Sequence, residues 1–178
     1  MQVAIIGAGP LGRWLALASA QAGYSVTLED VMPANLHHAQ EYLRRQLGPQ
    51  ALPNVKLVST IEEAVREADL AIDCVPDELE SKLEIFCLLD RMAPPRTILV
   101  TPSKTLSIAD LASCTYRADK CVAVVADVME LTGAGLRNLV IRTPPHVLPG
   151  TVSAAREFWE KLGFAVQVQE DIDLRSAP

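Results

Sequence analysis

Nowhere in this chain does an apolar stretch reach the roughly 18 residues that cross a bilayer, so no membrane span is expected. Positive charge is in deficit: 16 Lys and Arg stand against 22 Asp and Glu, a net charge of −6. That balance argues against nucleic acid or an acidic membrane surface as the main partner. The four cysteines, Cys74, Cys87, Cys114 and Cys121, contain no C-x-x-C pair. The three histidines, His37, His38 and His146, are not spaced to complete a zinc site. No metal is expected, and buried thiols in a reducing cytoplasm are the expected state. The N-terminus lacks the charged start and cleavage site of a secretory signal, which adds to the cytoplasmic expectation. Aromatic residues make up only 4% of the chain, and neither internal repeats nor a low-complexity linker interrupts it. What is there is a chain of 178 residues, 49% hydrophobic. That is enough for one well-buried domain, taken as residues 1–178, and short for two.

The richest segment is the first. Residues 2–6 read QVAII, and Gly7-Ala8-Gly9-Pro10-Leu11-Gly12 follow, a strand running into G-x-G-x-x-G at the head of a helix. Gly7 permits the tight turn. Gly9, without a side chain, lets the backbone approach a pyrophosphate, and Gly12 lets the helix pack closely on the sheet. The helix N-terminus offers free N–H groups and a partial positive charge to phosphates. Pro10 suits a first turn, where its missing N–H costs nothing. A second apolar run, Tyr24 to Leu28, ends in Glu29-Asp30. Asp30 follows Gly12 at close to the spacing of about 20 residues expected of an acid that holds a ribose diol. A glycine turn without a ligand is the plainer alternative, but strand, glycines, helix and acid together form the dinucleotide fingerprint. Asp30 would repel a 2′-phosphate, and Val31-Met32-Pro33 supplies no arginine to receive one. The cofactor expected is therefore NAD, not NADP.

Farther along, strand and helix patterns alternate. Residues 35–47 read as a helix, the GPQALPN segment as a break, and VKLV at 55–58 as a strand. Thr60 with Glu63 resembles a capping box opening a helix over 61–68. LAIDCV at 70–75 reads as a buried strand, 78–92 as a helix ended by Pro94-Pro95, and TILV at 97–100 as another strand. A short helix is expected over 107–113. Strands are expected at 121–128 and 136–142, a last helix from Pro149 to Leu162, and a final strand FAVQVQ. Apolar strands alternating with helices give an α/β fold: a Rossmann-type, doubly wound, mostly parallel sheet with helices on both faces.

Three stretches carry a family resemblance: VAIIGAGPLGRWLA, the run to Asp30, and EADLAIDCVPDELESKLEIFCLLDRMAPPRTILVTPSKTLSIADLA. With them the chain resembles the NAD-binding N-terminal domain of the 3-hydroxyacyl-CoA dehydrogenases nearly end to end, more weakly after residue 115. The resemblance implies that Val75, Pro76, Asp77 and Lys82 lie near the cofactor, because the family has an acidic residue after its Val-Pro and a lysine five residues later. It also implies five departures. The family's histidine-bearing strand-end motif is matched by Val124-Val125-Ala126-Asp127-Val128, without histidine. Its Asn-Thr-Ser-Ser segment is matched by Pro102-Ser103-Lys104-Thr105, which puts Lys104 and Thr105 at the substrate-hydroxyl position. The glutamate that partners the histidine falls near Leu139. The segment after Asp30, which helps hold CoA in the family, is shorter, and the chain stops near where the family's helical second domain begins.

Hydride transfer from a hydroxyl needs a base for the hydroxyl proton, and imidazole is suited to it because it titrates near neutrality. Valine cannot serve. Lys104 would do so if desolvated, or is a charged loop residue. Asp127 would accept a proton, or is a turn former. His146 lies in a loop, and His37 and His38 point about 100° apart on one helix. Asp73 faces the cleft or caps a backbone group. Three readings follow: a NAD-binding domain without the family's chemistry that acts as sensor, scaffold or subunit; an active oxidoreductase on a small hydroxy substrate using Lys104 or Asp127; or a remnant without cofactor. The intact glycines and Asp30 weigh against the third, and the lost histidine weighs against the second. A nucleotide domain without its helical partner is expected to pair as a homodimer or with a second subunit. Phe158 and Trp159 are then either interface anchors or members of the core.

Overall fold

The chain is described by a computed structural model over residues 1–47, 52–126, 128–133 and 137–171. It runs β1 (Gln2–Ile6), α1 (Pro10–Gln21), β2 (Ser25–Glu29), α2 (Pro33–Gln46), β3 (Val55–Val58), α3 (Ile61–Val65), β4 (Leu70–Asp73) and α4 (Leu79–Met92). It continues through β5 (Ile98–Pro102), α5 (Ile108–Ala112), β6 (Cys121–Val125), α6 (Val128–Thr132), β7 (Asn138–Thr143), α7 (Pro149–Lys161) and β8 (Ala165–Glu170), with 3-10 turns at Leu52–Asn54 and Ala118–Lys120. The strands form one sheet in the order β3-β2-β1-β4-β5-β6-β7-β8. Every pairing is parallel except β6 with β7, where Val124 lies opposite Ile141. The expected α/β, doubly wound, mostly parallel architecture is thus present.

Side chains alternate across each strand, and that alternation divides the core in two. Val3 and Ile5 of β1, Leu70 and Ile72 of β4, and Val122 and Val124 of β6 face α1, α2 and α7. Ala4 and Ile6, Ala71, and Cys121 and Ala123 face α3, α4 and α5. Alanine recurs on the second face, which lets those helices approach the sheet closely. Phe86 and Leu89 of α4, both 0% exposed, fill the space above it.

Five of the eight aromatics collect in one place on the first face. Tyr24 and Phe158 have ring centroids 5.5 Å apart, and Phe158 and Trp159 pack edge-to-face at 5.2 Å. Trp159 packs on Phe164 at 5.6 Å and Phe164 on Trp14 at 6.2 Å. Such contacts add about 0.5–1.5 kcal/mol each beyond burial. Phe158 and Trp159 are 0% exposed, so they are core residues that pack α7 on Tyr24 and Phe164 and not surface anchors.

Several boundaries depart from the sequence reading. The helix expected over 61–68 ends at Val65. Thr60 caps it by accepting a hydrogen bond from the Glu63 N–H at 3.3 Å, but the Glu63 carboxylate binds Lys56 Nζ at 2.6 Å instead of turning back. This is half a capping box. The strand expected over 121–128 ends at Val125, and α6 follows it. The start of the strand expected at 136 and part of the break after residue 47 lie outside the described residues.

Candidate functional site: a cleft at the carboxyl ends of β1 and β4

Strand order reverses between β1 and β4, and in an open α/β sheet such a switch point leaves a crevice beyond the carboxyl ends of the strands. A cavity of about 440 Å³ opens there. The turn from β1 to α1 forms one wall, with Gly7, Gly9, Pro10 and Leu11 lining it. Gly7 has φ +100, which L side chains rarely adopt, and its missing Cβ would meet the Cys74 carbonyl oxygen at 3.2 Å. Nothing lies within 4 Å of where a Cβ on Gly9 would stand. That open space is what a backbone needs for a phosphate to pass close by. Gly12 does not line the cavity. A Cβ there would fall 1.8 Å from the Gly7 carbonyl oxygen, so its role is to seat α1 on the turn.

Asp30, at the end of β2, is 8% exposed and lines the cavity. Its Oδ2 accepts hydrogen bonds from the Ala8 N–H at 2.8 Å and from Asn35 Nδ2 at 3.0 Å, and its Oδ1 accepts from the Met32 N–H at 2.8 Å. The acid is therefore held rigidly against the glycine turn. Asn35, in the first turn of α2, also lines the cavity. The sequence reading missed it, and its only signal was its place in the first turn after the acid. Beside Asp30, the Glu29 side chain is 2% exposed, and its Oε1 has no hydrogen-bond partner. Burial, with the nearby Asp30 charge, raises its carboxyl to about 7.

The opposite wall comes from the β4–α4 connection, where Cys74, Val75, Pro76 and Asp77 line the cavity. Lys82, which the resemblance placed beside the cofactor, does not reach it. It is 1% exposed, and its Nζ lies 3.1 Å from Asp73 Oδ2, with Asp73 itself 0% exposed. Thr101 Oγ1 completes the cluster at 2.9 Å from Lys82 Nζ. Burial pushes the Asp73 carboxyl up, while Lys82, the Val75 N–H and Thr101 pull against it. Asp73 thus caps Val75 and anchors Lys82 beneath the cavity wall. The two charges stiffen the connection from behind. Burial also raises the Cys74 thiol, with the Asp73 charge adding to it, so the cavity wall there is an un-ionised thiol.

Pro102, Lys104 and Ala126 close the far end. The Lys104 backbone N–H donates to Asp77 Oδ2 at 3.3 Å, and its Nζ forms an ion pair with Glu130 Oε1 at 2.9 Å, the lysine side chain being 41% exposed. The Lys104 ammonium is thus already partnered by a carboxylate. Thr105 is exposed and is not among the residues lining the cavity. Val125, within the segment that answers to the family's histidine-bearing motif, sits opposite Val140 in β7, while Leu139 is 2% exposed in the core. No imidazole or carboxylate stands at these positions. His146 lies in an exposed turn with φ 65, His37 and His38 are exposed on α2, and Asp127 lies outside the described residues. Among the described residues no three His, Cys, Asp or Glu side chains gather as a metal site, and no helix is long and apolar enough to cross a membrane.

Comparison with known proteins matches residues 2–125 to the NAD binding domain of 3-hydroxyacyl-CoA dehydrogenase. A probable 3-hydroxybutyryl-CoA dehydrogenase of Bacillus subtilis (strain 168) is 29% identical over 136 residues, which is 69% of this chain and 47% of that protein. A lambda-crystallin homolog of Mus musculus is 30% identical over 186 aligned positions, covering 96% of this chain and 57% of that one. Among solved structures, a diketoreductase that acts on dicarbonyl compounds superposes with a TM-score of 0.82 at 25% identity, covering 95% of this chain and 64% of its own. An (S)-3-hydroxybutyryl-CoA dehydrogenase of Ralstonia eutropha shares the fold with a TM-score of 0.84 at 19% identity, covering 96% and 64% of the two chains. The chain spans about half the length of the curated relatives it matches.

Proposed function

The chain belongs to the 3-hydroxyacyl-CoA dehydrogenase family through its NAD-binding domain, and on that footing we propose that it binds NAD in the cleft without performing the family's hydride transfer by itself, acting as a sensor, scaffold or subunit. The observation that carries this reading is a contrast between an intact cofactor cleft and the segments that the resemblance makes catalytic. Gly7, Gly9, Pro10, Leu11 and Asp30 line one side of that cleft, whereas the stretch from Val124 to Val128 that answers to the family's histidine motif holds no histidine, and the position of its partner glutamate falls near Leu139.

The residues present fit the cofactor. Gly9 leaves space for the pyrophosphate, the first turn of α1 offers unpaired N–H groups, and the Asp30 carboxylate suits a ribose diol. Bound NAD would supply a hydride acceptor. The protein would supply position, but Lys104, paired with Glu130, is a poor base for a hydroxyl proton. The reading extends to assembly as a homodimer or with a second subunit. It needs surface other than Phe158 and Trp159, and analytical ultracentrifugation at micromolar concentration tests it, a monomer counting against it.

Calorimetric titration with NAD and NADH tests the core of the reading. Binding at micromolar strength is expected, with Asp30→Asn weakening it by about tenfold to a hundredfold, the equivalent of one charged hydrogen-bond pair. Turnover of 3-hydroxyacyl-CoA should be absent. Turnover that Lys104→Ala abolishes would instead make the chain an oxidoreductase with a lysine in the proton path. No binding at millimolar NAD would overturn the reading.

A further inference from the structure

We propose that Cys87 of α4 and Cys114, just beyond α5, are a modification site: a dithiol that closes to a reversible intramolecular disulfide on meeting a hydroperoxide. Cys87 is exposed on α4, and Cys114 is half-buried just beyond α5. Cys87 Sγ approaches the Cys114 carbonyl at 3.8 Å. Cys114 Sγ donates to the Leu111 carbonyl at 3.1 Å and approaches that of Leu83, one turn before Cys87, at 3.9 Å. The two sulfurs therefore share one patch of the α4 surface.

The pair is also held in place. Arg117, three residues beyond Cys114, donates from Nε to Asp90 Oδ1 at 2.9 Å and from its terminal nitrogens to the carbonyls of Pro94 at 2.7 Å and Asp90 at 2.7 Å. The Tyr116 N–H donates to Asp90 Oδ2 at 3.1 Å. These bonds fasten the segment bearing Cys114 to the end of α4, so little conformational freedom remains to be lost when the sulfurs join. The other two cysteines are placed differently. Cys121 is 0% exposed, and Cys74 belongs to the cavity wall.

The chemistry divides between an exposed nucleophile and a partner that keeps its proton. Burial, with Cys87 close by, raises the Cys114 thiol to about 12, so it keeps its proton until a sulfenic acid is there to receive its sulfur. The Cys87 thiolate attacks one peroxide oxygen. An S–O bond forms, the O–O bond breaks, and the departing oxygen leaves as water or alcohol after taking a proton from solvent. The Cys114 sulfur then attacks the sulfenic sulfur. The S–S bond forms, the S–O bond breaks, and the leaving hydroxide takes the Cys114 proton and departs as water. Two electrons pass from the dithiol to the hydroperoxide.

Hydrogen peroxide treatment, followed by thiol counting in denaturant and peptide mass spectrometry, tests this. The four thiols should fall to two. The chain should lose two hydrogens in mass, with Cys87 and Cys114 in one linked peptide, and dithiothreitol should restore all four. Cys87→Ser and Cys114→Ser should each abolish the loss. Retention of four thiols, stable oxygen addition at Cys87 with Cys114 still free, or a disulfide-linked dimer on a non-reducing gel would each overturn the proposal.

Discussion

At Asp73 and Lys82 two opposite charges meet at 3.1 Å with 0% and 1% of their side chains exposed. Taking both out of water is costly, and the pair persists because Thr101 and the Val75 N–H fill the remaining hydrogen-bond positions. Removing one partner leaves a buried charge uncompensated, so Lys82→Met should lose about 3–5 kcal/mol in urea unfolding. Replacing both, as Asp73→Leu with Lys82→Met, should recover most of that loss, and failure to recover would show that the pair does more than neutralise itself. Glu29 makes the opposite case, a buried acid with an orphaned oxygen. Its carboxyl titrates at about 7 in the folded chain against an ordinary 4.5. The folded state therefore keeps a proton that the unfolded chain releases between those values, and stability falls as pH rises from about 4.5 through about 7. Glu29→Gln should flatten that slope and raise stability at pH 8 by about 1–3 kcal/mol, read from thermal melts across pH. Neither residue's environment was legible from neighbouring letters. Asp73 meets Lys82 and Thr101 only once β4, β5 and α4 are assembled, and the resemblance alone set Lys82 beside the cofactor.

The elements divide in the same way. The β1–α1–β2 unit was legible because each glycine answers to a local geometric demand and Asp30 to a fixed spacing. Gly12→Ala should test the tightest of those demands: its Cβ would fall 1.8 Å from the Gly7 carbonyl oxygen, a backbone atom that cannot swing aside. We expect a loss of about 1–3 kcal/mol in stability together with weakened NADH binding, because shifting α1 moves the cavity wall. Unchanged affinity would separate the seating of α1 from the site. α6 was not legible, since the letters from Cys121 to Val128 read as one apolar run, whereas the strand stops at Val125 and a helix starts at Val128. Nor was the reversal at β7. Alternation by two reveals which residues share a face but not which way the strand runs, and the antiparallel pairing of Val124 with Ile141 is decided by the connection through α6. At α7, Phe158 and Trp159 admitted two readings from sequence, and assembly settled them in favour of the core. Trp159→Ala should therefore cost about 3–5 kcal/mol, measured by chemical unfolding.

For the whole molecule, cofactor and stability are linked. NAD at a hundred times its dissociation constant should stabilise the fold by about 2.7 kcal/mol, visible as an upward shift in melting temperature that Asp30→Asn diminishes. A shift that ignores Asp30 would point away from the cleft. The mostly parallel α/β architecture was implied by the alternation of strands and helices, while the strand order that creates the cleft was not, and the residues that close its far end, Pro102 and Lys104 from the end of β5 and Ala126 from the end of β6, converge only in three dimensions. The aromatic cluster under α7 has an optical consequence. Both tryptophans of the chain, Trp14 and Trp159, pack against the single ring of Phe164, and Trp14 rides on α1 about 6 Å along the helix axis from Pro10. Reduced nicotinamide absorbs where indole emits. The molecule thus carries one donor fluorophore on the helix whose N-terminus lines the cleft and a second on α7, and energy transfer from Trp14 reports occupancy without a label.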